Sequence, residues 1–264
     1  MDLKIKNRRA LVTGSTSGIG YAIAKGLAQE GAMVTITGRT QARVDAALAS
    51  LRATVPHAQV RGIAADNATS AGAQATFNTL PEVDILVNNL GIYERKPFFE
   101  IPDEDWQRLF DVNVMSGVRF SRHYAPAMVK QGWGRILFIS SESGLNIPRE
   151  MIHYGMSKTA QLSIARGLAI ELTGTGVTVN AVLPGPTRTE NTDHLRAQRA
   201  KSAGKTVAEI EADVFVTFRP TSITRRIADA DEVANLAVYL CGAGASATTG
   251  AALRVDGGIV NQIM

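Results

Sequence analysis

The stretch TGSTSGIG (13–20) follows the short apolar run ALV (10–12). Glycine is unfavourable in the interior of a helix or a strand, so three glycines in eight residues indicate a turn. Gly14 permits a tight turn, Gly18 lets the backbone approach a diphosphate, and Gly20 allows a helix to pack closely on a strand. The free N–H groups and the dipole at the start of the next helix form an anion site. The stretch therefore predicts a strand–turn–helix unit that binds a dinucleotide, although a structural turn can use the same glycines.

Strand-like and helix-like segments alternate along the chain. Apolar and β-branched runs predict seven strands, at 9–13, 33–37, 59–64, 85–87, 135–140, 177–183 and 251–255. Apolar spacing near 3.6 predicts helices at 19–29, 44–51, 106–128, 159–172 and 233–240. This alternation predicts an α/β Rossmann-type fold, a doubly wound parallel sheet of about seven strands flanked by helices on both faces.

The predicted boundaries follow from single residues. Gly31 is predicted to cap the end of the first helix, and Asp103 and Asp231 are predicted to cap the starts of later helices.

We expect residues 1–264 to form a single dinucleotide-binding catalytic domain. Between Gly185 and Ile227 the sequence is polar and has no strand pattern, which predicts a mobile substrate-binding flap at about 187–226 with helical pieces.

The composition narrows the function classes. The chain is 45% hydrophobic and 20% charged, as in ordinary globular proteins. Its net charge of +4 is spread over scattered residues, which disfavours a nucleic-acid partner and fits a small anionic ligand. The single cysteine, Cys241, excludes an intrachain disulfide and favours a reducing, cytoplasmic setting. No apolar run approaches the ~20 residues that span a membrane, no secretory signal is recognisable, and the dispersed histidines predict no metal site.

The end of the second predicted strand, TITGRT, bears on cofactor choice. An acidic residue here would accept a hydrogen bond from a ribose 2′-hydroxyl, but the chain has Gly38 and Arg39. Arginine suits a 2′-phosphate, and Ser15 and Thr16 are expected to face the same region. NADP(H) is therefore preferred, with NAD(H) as the alternative. A solvated arginine at a helix start is the other interpretation of Arg39.

Three further residues form a catalytic pattern. Tyr154 and Lys158 lie four residues apart in YGMSK, on one face of a predicted helix. Ser141, in ISSESG, precedes Tyr154 by thirteen residues at the end of a predicted strand. Together with the TGxxxGxG stretch, these residues strongly resemble the short-chain dehydrogenase/reductase family. The resemblance covers nearly the whole chain, and in this order the motifs are highly specific.

Other motifs extend the resemblance and imply roles. VNNLG (87–91) is similar to the family's NNxG element, with Leu90 in place of the usual alanine, and DVNVMS supplies Asn113. The resemblance implies a catalytic tetrad of Asn113, Ser141, Tyr154 and Lys158. It implies cofactor contacts from Gly14, Ser15, Thr16, Ser17, Gly18, Ile19, Gly20, Arg39, Asp66, Asn67, Asn89, Gly91, Tyr154, Lys158, Pro184, Gly185 and Thr187. It also implies the strand order 3-2-1-4-5-6-7 and a homotetramer, with a homodimer as the alternative.

The residue types suit carbonyl reduction, in which nicotinamide gives a hydride and an acid gives a proton. An ammonium ~5 Å from the Tyr154 phenolate, at an effective dielectric of ~20, contributes about 3 kcal/mol. That would bring the phenol pKa from 10 toward 7–8, whereas burial would raise it. Ser141 would hold the substrate oxygen. The resemblance further implies that Lys158 grips the nicotinamide ribose and that Asn113 anchors a water leading from Lys158 to solvent.

The sequence thus predicts an NADP(H)-dependent oxidoreductase that interconverts a carbonyl and a secondary alcohol on a small molecule. Candidate substrate residues are Glu142, Arg149 and Tyr93, and Arg95 or Arg149 could meet a substrate carboxylate or phosphate. His153 is interpreted as structural or substrate-facing.

Two alternatives stay open. A 3-oxoacyl-[acyl-carrier-protein] reductase would carry basic docking residues where this chain has Gly132 and Thr175, though Lys130 and Arg166 lie nearby. A non-catalytic NADP(H)-sensing protein would be expected to lose Ser141, Tyr154 or Lys158.

Overall fold

One parallel sheet organises the molecule. The computed structural model describes residues 2–263. Its strands are β1 (Arg9–Val12), β2 (Met33–Gly38), β3 (Val60–Ala64), β4 (Ile85–Asn88), β5 (Gly134–Ile139), β6 (Val177–Pro184) and β7 (Ala252–Val255). All six pairings are parallel, and the order is β3-β2-β1-β4-β5-β6-β7. The predicted sheet and the strand order implied by the resemblance are both confirmed.

Helices cover both faces of this sheet. They are α1 (Gly18–Gln29), α2 (Gln41–Thr54), α3 (Ser70–Thr79), α4 (Asp103–Leu109), α5 (Ser116–Gln131), α6 (Ile152–Glu171), α7 (Glu190–Ala203), α8 (Val207–Asp213) and α9 (Ala230–Cys241). Side chains alternate along a strand, so Ala10 and Val12 join the core under α1, α2 and α9, while Leu11 joins the core under α3, α5 and α6. Two apolar cores, one on each face, hold the carboxyl ends of the strands at a common edge.

Several predicted boundaries are wrong in detail. The helix predicted at 106–128 is interrupted by a π-helical turn, Phe110–Met115, between α4 and α5. Helix α3 was missed because its sequence, SAGAQATFNT, has a single large apolar residue and hence little periodicity. Helix α6 begins at Ile152, seven residues before the predicted start.

The predicted caps also need correction. Asp103 is the first residue of α4, whose N-cap is Pro102. Asp231 lies in the first turn of α9, and Asp229 caps that helix through a capping box with Glu232. Glu30 is the C-cap of α1, and Gly31 follows it with φ 79°. The predicted role of Gly31 in ending α1 is therefore confirmed.

The segment 187–226 contains the expected helical pieces. Helices α7 and α8 and a π-helical turn, Val214–Phe218, occupy it, and Thr187 makes a single β-bridge with Ala228. Ion pairs join these pieces. Arg188 binds the Glu211 carboxylate through two hydrogen bonds of 2.7 and 2.8 Å, and Arg196 approaches the same carboxylate at 3.4 Å.

Two absences concern residues 2–263 only. None of the helices described there has the length and apolarity needed to cross a membrane. No group of three or more His, Cys, Asp or Glu side chains in that range is placed to hold a metal ion.

Helices α1 and α9 pack without room for a side chain at Gly26. A Cβ atom there would lie 2.8 Å from Val238 Cγ2, and Val238 is buried and rotationally stiff. We expect Gly26→Ala to lower the free energy of unfolding by about 1–2 kcal/mol, since overpacking outweighs the gain in helix propensity. Chemical denaturation of the purified protein measures this.

Gly167→Ala is the matched control, because Gly167 lies inside α6 with no atom within 4 Å of a Cβ placed there. It should raise the free energy of unfolding by about 0.5–1 kcal/mol. The double variant Gly26→Ala/Val238→Ala should be less destabilised than the sum of the two single variants. Strict additivity would contradict the packing argument.

Candidate functional site

The glycine turn lies between β1 and α1. Gly14 and Gly18 both have φ 60°, a backbone conformation that side chains disfavour. A Cβ atom at Gly20 would lie 2.4 Å from Asn89 Nδ2 and 2.7 Å from the Gly14 carbonyl oxygen. Helix α1 begins at Gly18, and its N-cap residue, Ser17, makes no side-chain capping bond. The N–H groups of the first turn, which includes Ile19, therefore remain available to an anion.

Asn89 fixes this turn from the neighbouring strand. Its Nδ2 donates hydrogen bonds of 3.0 Å to the carbonyl oxygens of Thr13 and Gly14. The side chain of Asn89 thus supports the turn from behind, just beyond the end of β4. Because β1 and β4 are adjacent and parallel, this is the point where the sheet order reverses and where ligands of such sheets bind.

Ser15 does not face the same region as Arg39, contrary to the sequence-based expectation. The Ser15 hydroxyl donates to the Val12 carbonyl at 2.6 Å and accepts from Thr37 N at 3.0 Å, so it is buried beneath the turn. Thr16 does lie there. A Cβ atom at Gly38 would be 2.5 Å from Thr16 Cγ2, which places Thr16 beside the residue that precedes Arg39.

Arg43 is a basic residue that the sequence analysis missed. It lines a cavity of about 260 Å³ together with residues of the turn, α1, α2 and α7: Thr16, Ser17, Gly18, Tyr21, Ala46, Ala47, Ser50 and Glu190. Arg39 is exposed, and neither Arg39 nor Arg43 makes a salt bridge with a described residue. The position of Arg43 in the first turn of α2, four residues after Arg39, was the available signal.

The residues that follow β3 also reach this edge. Asp66 Oδ1 accepts from Ala68 N at 3.3 Å, and Asn67 is buried with its Oδ1 accepting from Thr76 Oγ1 at 2.7 Å. Asn67 Nδ2 has no hydrogen-bond partner among the described residues. A buried, unpaired donor here is compatible with a polar ligand at the adenine side.

The loop after β6 closes the other side. Pro184 ends β6, and a Cβ atom at Gly185 would lie 2.9 Å from Asp256 Cα. Thr187 is buried, and its Oγ1 donates to the Gly185 carbonyl at 2.9 Å. Two residues on, Thr189 lies so close to the glycine turn that a Cβ atom at Gly18 would be 3.1 Å from its Cγ2. The start of segment 187–226 therefore covers the turn.

Lys158 lies at the centre of the predicted tetrad and is only 4% exposed. Its Nζ donates to the Ile139 carbonyl at 3.0 Å and to Gln161 Oε1 at 3.3 Å. It lies 5.7 Å from the centroid of the Tyr154 ring, and a Cβ atom at Gly91 would be 3.3 Å from it. The ends of β4 and β5 and the start of α6 thus meet at one ammonium group.

Asn113 is held in the π-helical turn. Its side chain bonds both backbone groups of Ile92, accepting from N at 2.8 Å and donating to O at 2.9 Å, and it donates to Ser157 Oγ at 2.9 Å. Its own carbonyl accepts from Gln161 Nε2 at 2.6 Å. The Gln161 amide therefore bridges the Asn113 carbonyl and the Lys158 ammonium.

Gln161 was missed by the sequence analysis. It is 1% exposed and uses both ends of its amide, one toward Lys158 and the other toward Asn113. A polar residue three positions after Lys158 on the same helix face was the available signal. The partner of the Gln161 amide could not be predicted, because the π-helical turn brings the Asn113 carbonyl next to α6.

The pKa of Tyr154 moves in the opposite direction from the one expected. Burial raises it to about 12, while a hydrogen bond with Ser141 acts to lower it. Burial also lowers the pKa of Lys158 to about 7, because it penalises the charged ammonium. At neutral pH Tyr154 is therefore protonated, which is the form that can donate a proton.

Ser141 is the second residue after β5 and is the N-cap of the short helical turn Glu142–Gly144. It is buried, and its Oγ accepts from Ser143 N at 3.1 Å. Next to it, the Glu142 carboxylate accepts from Arg219 Nε at 2.8 Å. Of the candidate substrate residues, Tyr93 lies with its ring 6.2 Å from that of Tyr154, and Glu142 neighbours Ser141.

The other candidates lie less centrally. Arg149 is exposed and makes no salt bridge with a described residue. Arg95 stacks on Phe218 at 4.6 Å and approaches Glu150 at 3.6 Å. His153 is buried against Trp106, with ring centroids 5.8 Å apart, and burial lowers its pKa. Its ring nitrogens have no hydrogen-bond partner among the described residues, which fits packing better than proton transfer.

Comparison of this chain with known proteins finds dehydrogenases and reductases that are similar over most of its length. The family model described as short chain dehydrogenase matches residues 8–200. An uncharacterized oxidoreductase of Bacillus subtilis, YvaG, is 46% identical over 263 residues, covering 100% of both chains. The 3-oxoacyl-[acyl-carrier-protein] reductase FabG of Aquifex aeolicus is 31% identical over 262 residues, which cover 98% of this chain and 100% of FabG.

A solved structure is similar over the full length. L-Sorbose reductase from Gluconobacter frateurii, crystallised with NADPH and L-sorbose, superimposes with a TM-score of 0.93 and 31% identity and covers 100% of both chains. The sheet order, the glycine turn and these matches lead to one conclusion. This chain is an oxidoreductase that belongs to the short-chain dehydrogenase family.

Proposed function

We propose that this enzyme interconverts a carbonyl and a secondary alcohol on a small molecule, using NADP(H) and Tyr154 as the acid and base. One observation carries the proposal. Tyr154 and Lys158 meet Gly91 and Ser141 at the edge of the sheet that also carries the glycine turn. A dinucleotide bound along that edge would extend from the turn to the Tyr154 hydroxyl.

The residues present fit NADP(H). The uncapped first turn of α1 suits the diphosphate, and Arg39, Arg43 and Thr16 suit a 2′-phosphate. The residues that follow β3, β4 and β6 would contact the remainder of the cofactor. When bound, NADPH supplies the hydride. A relative crystallised with NADPH supports this preference over NADH, which stays the alternative.

The proton chemistry belongs to two side chains. Ser141 Oγ donates a hydrogen bond to the substrate oxygen and holds it beside Tyr154. Because burial keeps the Tyr154 phenol protonated, Tyr154 gives its proton to the oxygen as negative charge develops there. In the reverse direction the Tyr154 phenolate accepts the alcohol proton. The high pKa of Tyr154 makes this phenolate a strong base, but the phenol must first lose its proton.

Lys158 and Gln161 form the support for this step. An ammonium has three N–H donors, and two of those of Lys158 are directed at Ile139 and Gln161. The third is left for the side of Gly91 and Tyr154, where a ribose hydroxyl would lie. Gln161 is thus a positioning residue that orients Lys158 and stabilises its charge.

The alternatives have weaker support. An acyl-carrier-protein reductase is favoured by the FabG match, but Gly132 and Thr175 offer no cation to an acidic carrier. A sensor without turnover has no use for an intact tetrad. The single catalytic domain with a flap at 187–226, the homotetramer (or homodimer) and the cytoplasmic location stay predictions. Light scattering would test the assembly.

Tyr154→Phe should lower kcat by at least about a hundredfold, because the proton donor is lost. Affinity for NADPH should change by less than about threefold, because the glycine turn, Lys158 and the other expected cofactor contacts are unchanged. Steady-state rates and NADPH fluorescence titration measure the two effects. Tyr239→Phe, on α9, is the control and should leave both unchanged. Retention of a tenth of wild-type kcat by Tyr154→Phe would rule out the proposed role.

Arg39→Asp should raise the Kd for NADPH by about ten- to a hundredfold, the loss of one or two charge-assisted hydrogen bonds. The Kd for NADH should change little, since its ribose carries no phosphate. Arg52→Asp, an exposed change of equal charge later in α2, controls for long-range electrostatics. Equal losses for the two cofactors would refute the 2′-phosphate assignment.

Gln161→Leu should shift the alkaline limb of the kcat/KM profile to lower pH by about one unit. The reason is that loss of one acceptor destabilises the Lys158 ammonium by about 1.5 kcal/mol and so lowers its pKa. Gln161→Glu places a carboxylate beside the ammonium and should shift the limb to higher pH. If both variants alter only the melting temperature and leave the profile in place, Gln161 has a structural role alone.

A further inference from the structure

A buried carboxylate lies directly beside the candidate proton donor. Glu142 follows Ser141 in the chain and is 3% exposed. Ser141, which would hold the substrate oxygen, caps the short turn Glu142–Gly144, so Glu142 lies next to the reaction site. The charge of Glu142 also acts to raise the pKa of Tyr154, and that of Arg219 acts to lower it.

The two oxygens of this carboxylate are used unequally. Oε1 accepts from Arg219 Nε at 2.8 Å and from Ser143 Oγ at 3.1 Å, and Arg219 Nη2 approaches it at 2.8 Å. Oε2 is buried and has no hydrogen-bond partner among residues 2–263. A buried polar atom without a partner is unfavourable, and a carboxylate oxygen can accept two hydrogen bonds. Oε2 is thus free to accept from a ligand.

Arg219 comes from the segment 187–226 and orients Glu142. It follows the π-helical turn Val214–Phe218, and its side chain is 12% exposed. Its Nη1 donates to the Phe218 carbonyl at 2.9 Å, and its Nη2 lies 3.4 Å from Ser143 Oγ. These contacts fix the guanidinium of Arg219. Arg219 therefore binds Oε1 of Glu142 and leaves Oε2 without a partner among the described residues.

The surrounding charges select the kind of donor. Glu142 is buried and already paired with one cation, Arg219. An ammonium group on the substrate would therefore leave a net positive charge in a site shielded from water. A neutral hydroxyl group adds no charge, and it can donate to Oε2.

We infer that the substrate is a hydroxylated carbonyl compound, in which a hydroxyl group near the reacting carbonyl donates a hydrogen bond to Glu142 Oε2 while Arg219 holds the carboxylate. This inference rests on the proposed function of the same site and adds the substrate class to it. Tyr93, edge-on to Tyr154 at 6.2 Å, provides the apolar wall for the carbon chain.

The test compares two open-chain ketones of four carbons, erythrulose and butan-2-one, by NADPH oxidation at 340 nm. The wild type should reduce erythrulose with a kcat/KM at least about tenfold higher, because a site built for a hydroxyl penalises an analogue that lacks it. Glu142→Gln and Glu142→Leu should lower both rates and shrink the erythrulose preference at least about tenfold. Arg52→Gln, far from the site, should keep the preference.

The outcomes separate the two proposals. A wild type that reduces butan-2-one equally well, or Glu142 variants that lose both ketones in proportion, overturn the inference and leave the proposed function intact. A wild type that binds NADPH but reduces neither ketone counts against both. If the Glu142 variants do not fold, Arg219→Lys serves instead. It keeps the charge but loses the planar fork, and it should reduce the preference with unchanged affinity for NADPH; an unaltered preference overturns the inference.

Discussion

The constraint on which the site depends is the desolvated ammonium of Lys158. A charge that is almost removed from water needs acceptors at fixed positions, and here they are the Ile139 carbonyl at the end of β5 and the Gln161 amide one turn along α6. Gln161 is held in turn by the carbonyl of Asn113 in the π-helical turn. Gly91 leaves the remaining side of the ammonium open, because any side chain there would contact it.

This arrangement is possible because the sheet is parallel. Every strand ends at the same edge, so the loops after β1, β4, β5 and β6 converge although they lie far apart in sequence. Two apolar cores stabilise the strands and leave the edge free for polar groups. Asn89 illustrates the consequence. Its amide, at the end of β4, holds the carbonyl oxygens of the turn that follows β1.

Ion pairs of two kinds hold the segment 187–226 in place. Exposed pairs, such as Arg188 with Glu211, link its helices and each contribute little to stability. The pair between Arg219 and Glu142 is buried and reaches the residue after Ser141. A buried pair contributes more to orientation than to stability, since desolvation offsets most of the attraction. The segment thereby helps to define the shape of the reaction site.

The sequence by itself determined the fold class, the seven strands and the glycine turn, because hydrophobic periodicity and glycine placement are local properties. It also indicated Ser141, Tyr154, Lys158 and Asn113, whose spacing forms a recognisable order. It missed α3, whose sequence carries almost no periodicity, and it extended one helix through the π-helical turn.

Only the tertiary structure decided the electrostatics and the second layer of contacts. The pKa of Tyr154 is raised because burial outweighs the hydrogen bond with Ser141, which acts to lower it. The inward turn of Ser15, the bridge made by Gln161 and the pairing of Arg219 with Glu142 join residues from separate elements. Desolvation and long-range hydrogen bonds depend on which elements pack together, and that information is absent from any single stretch of the chain.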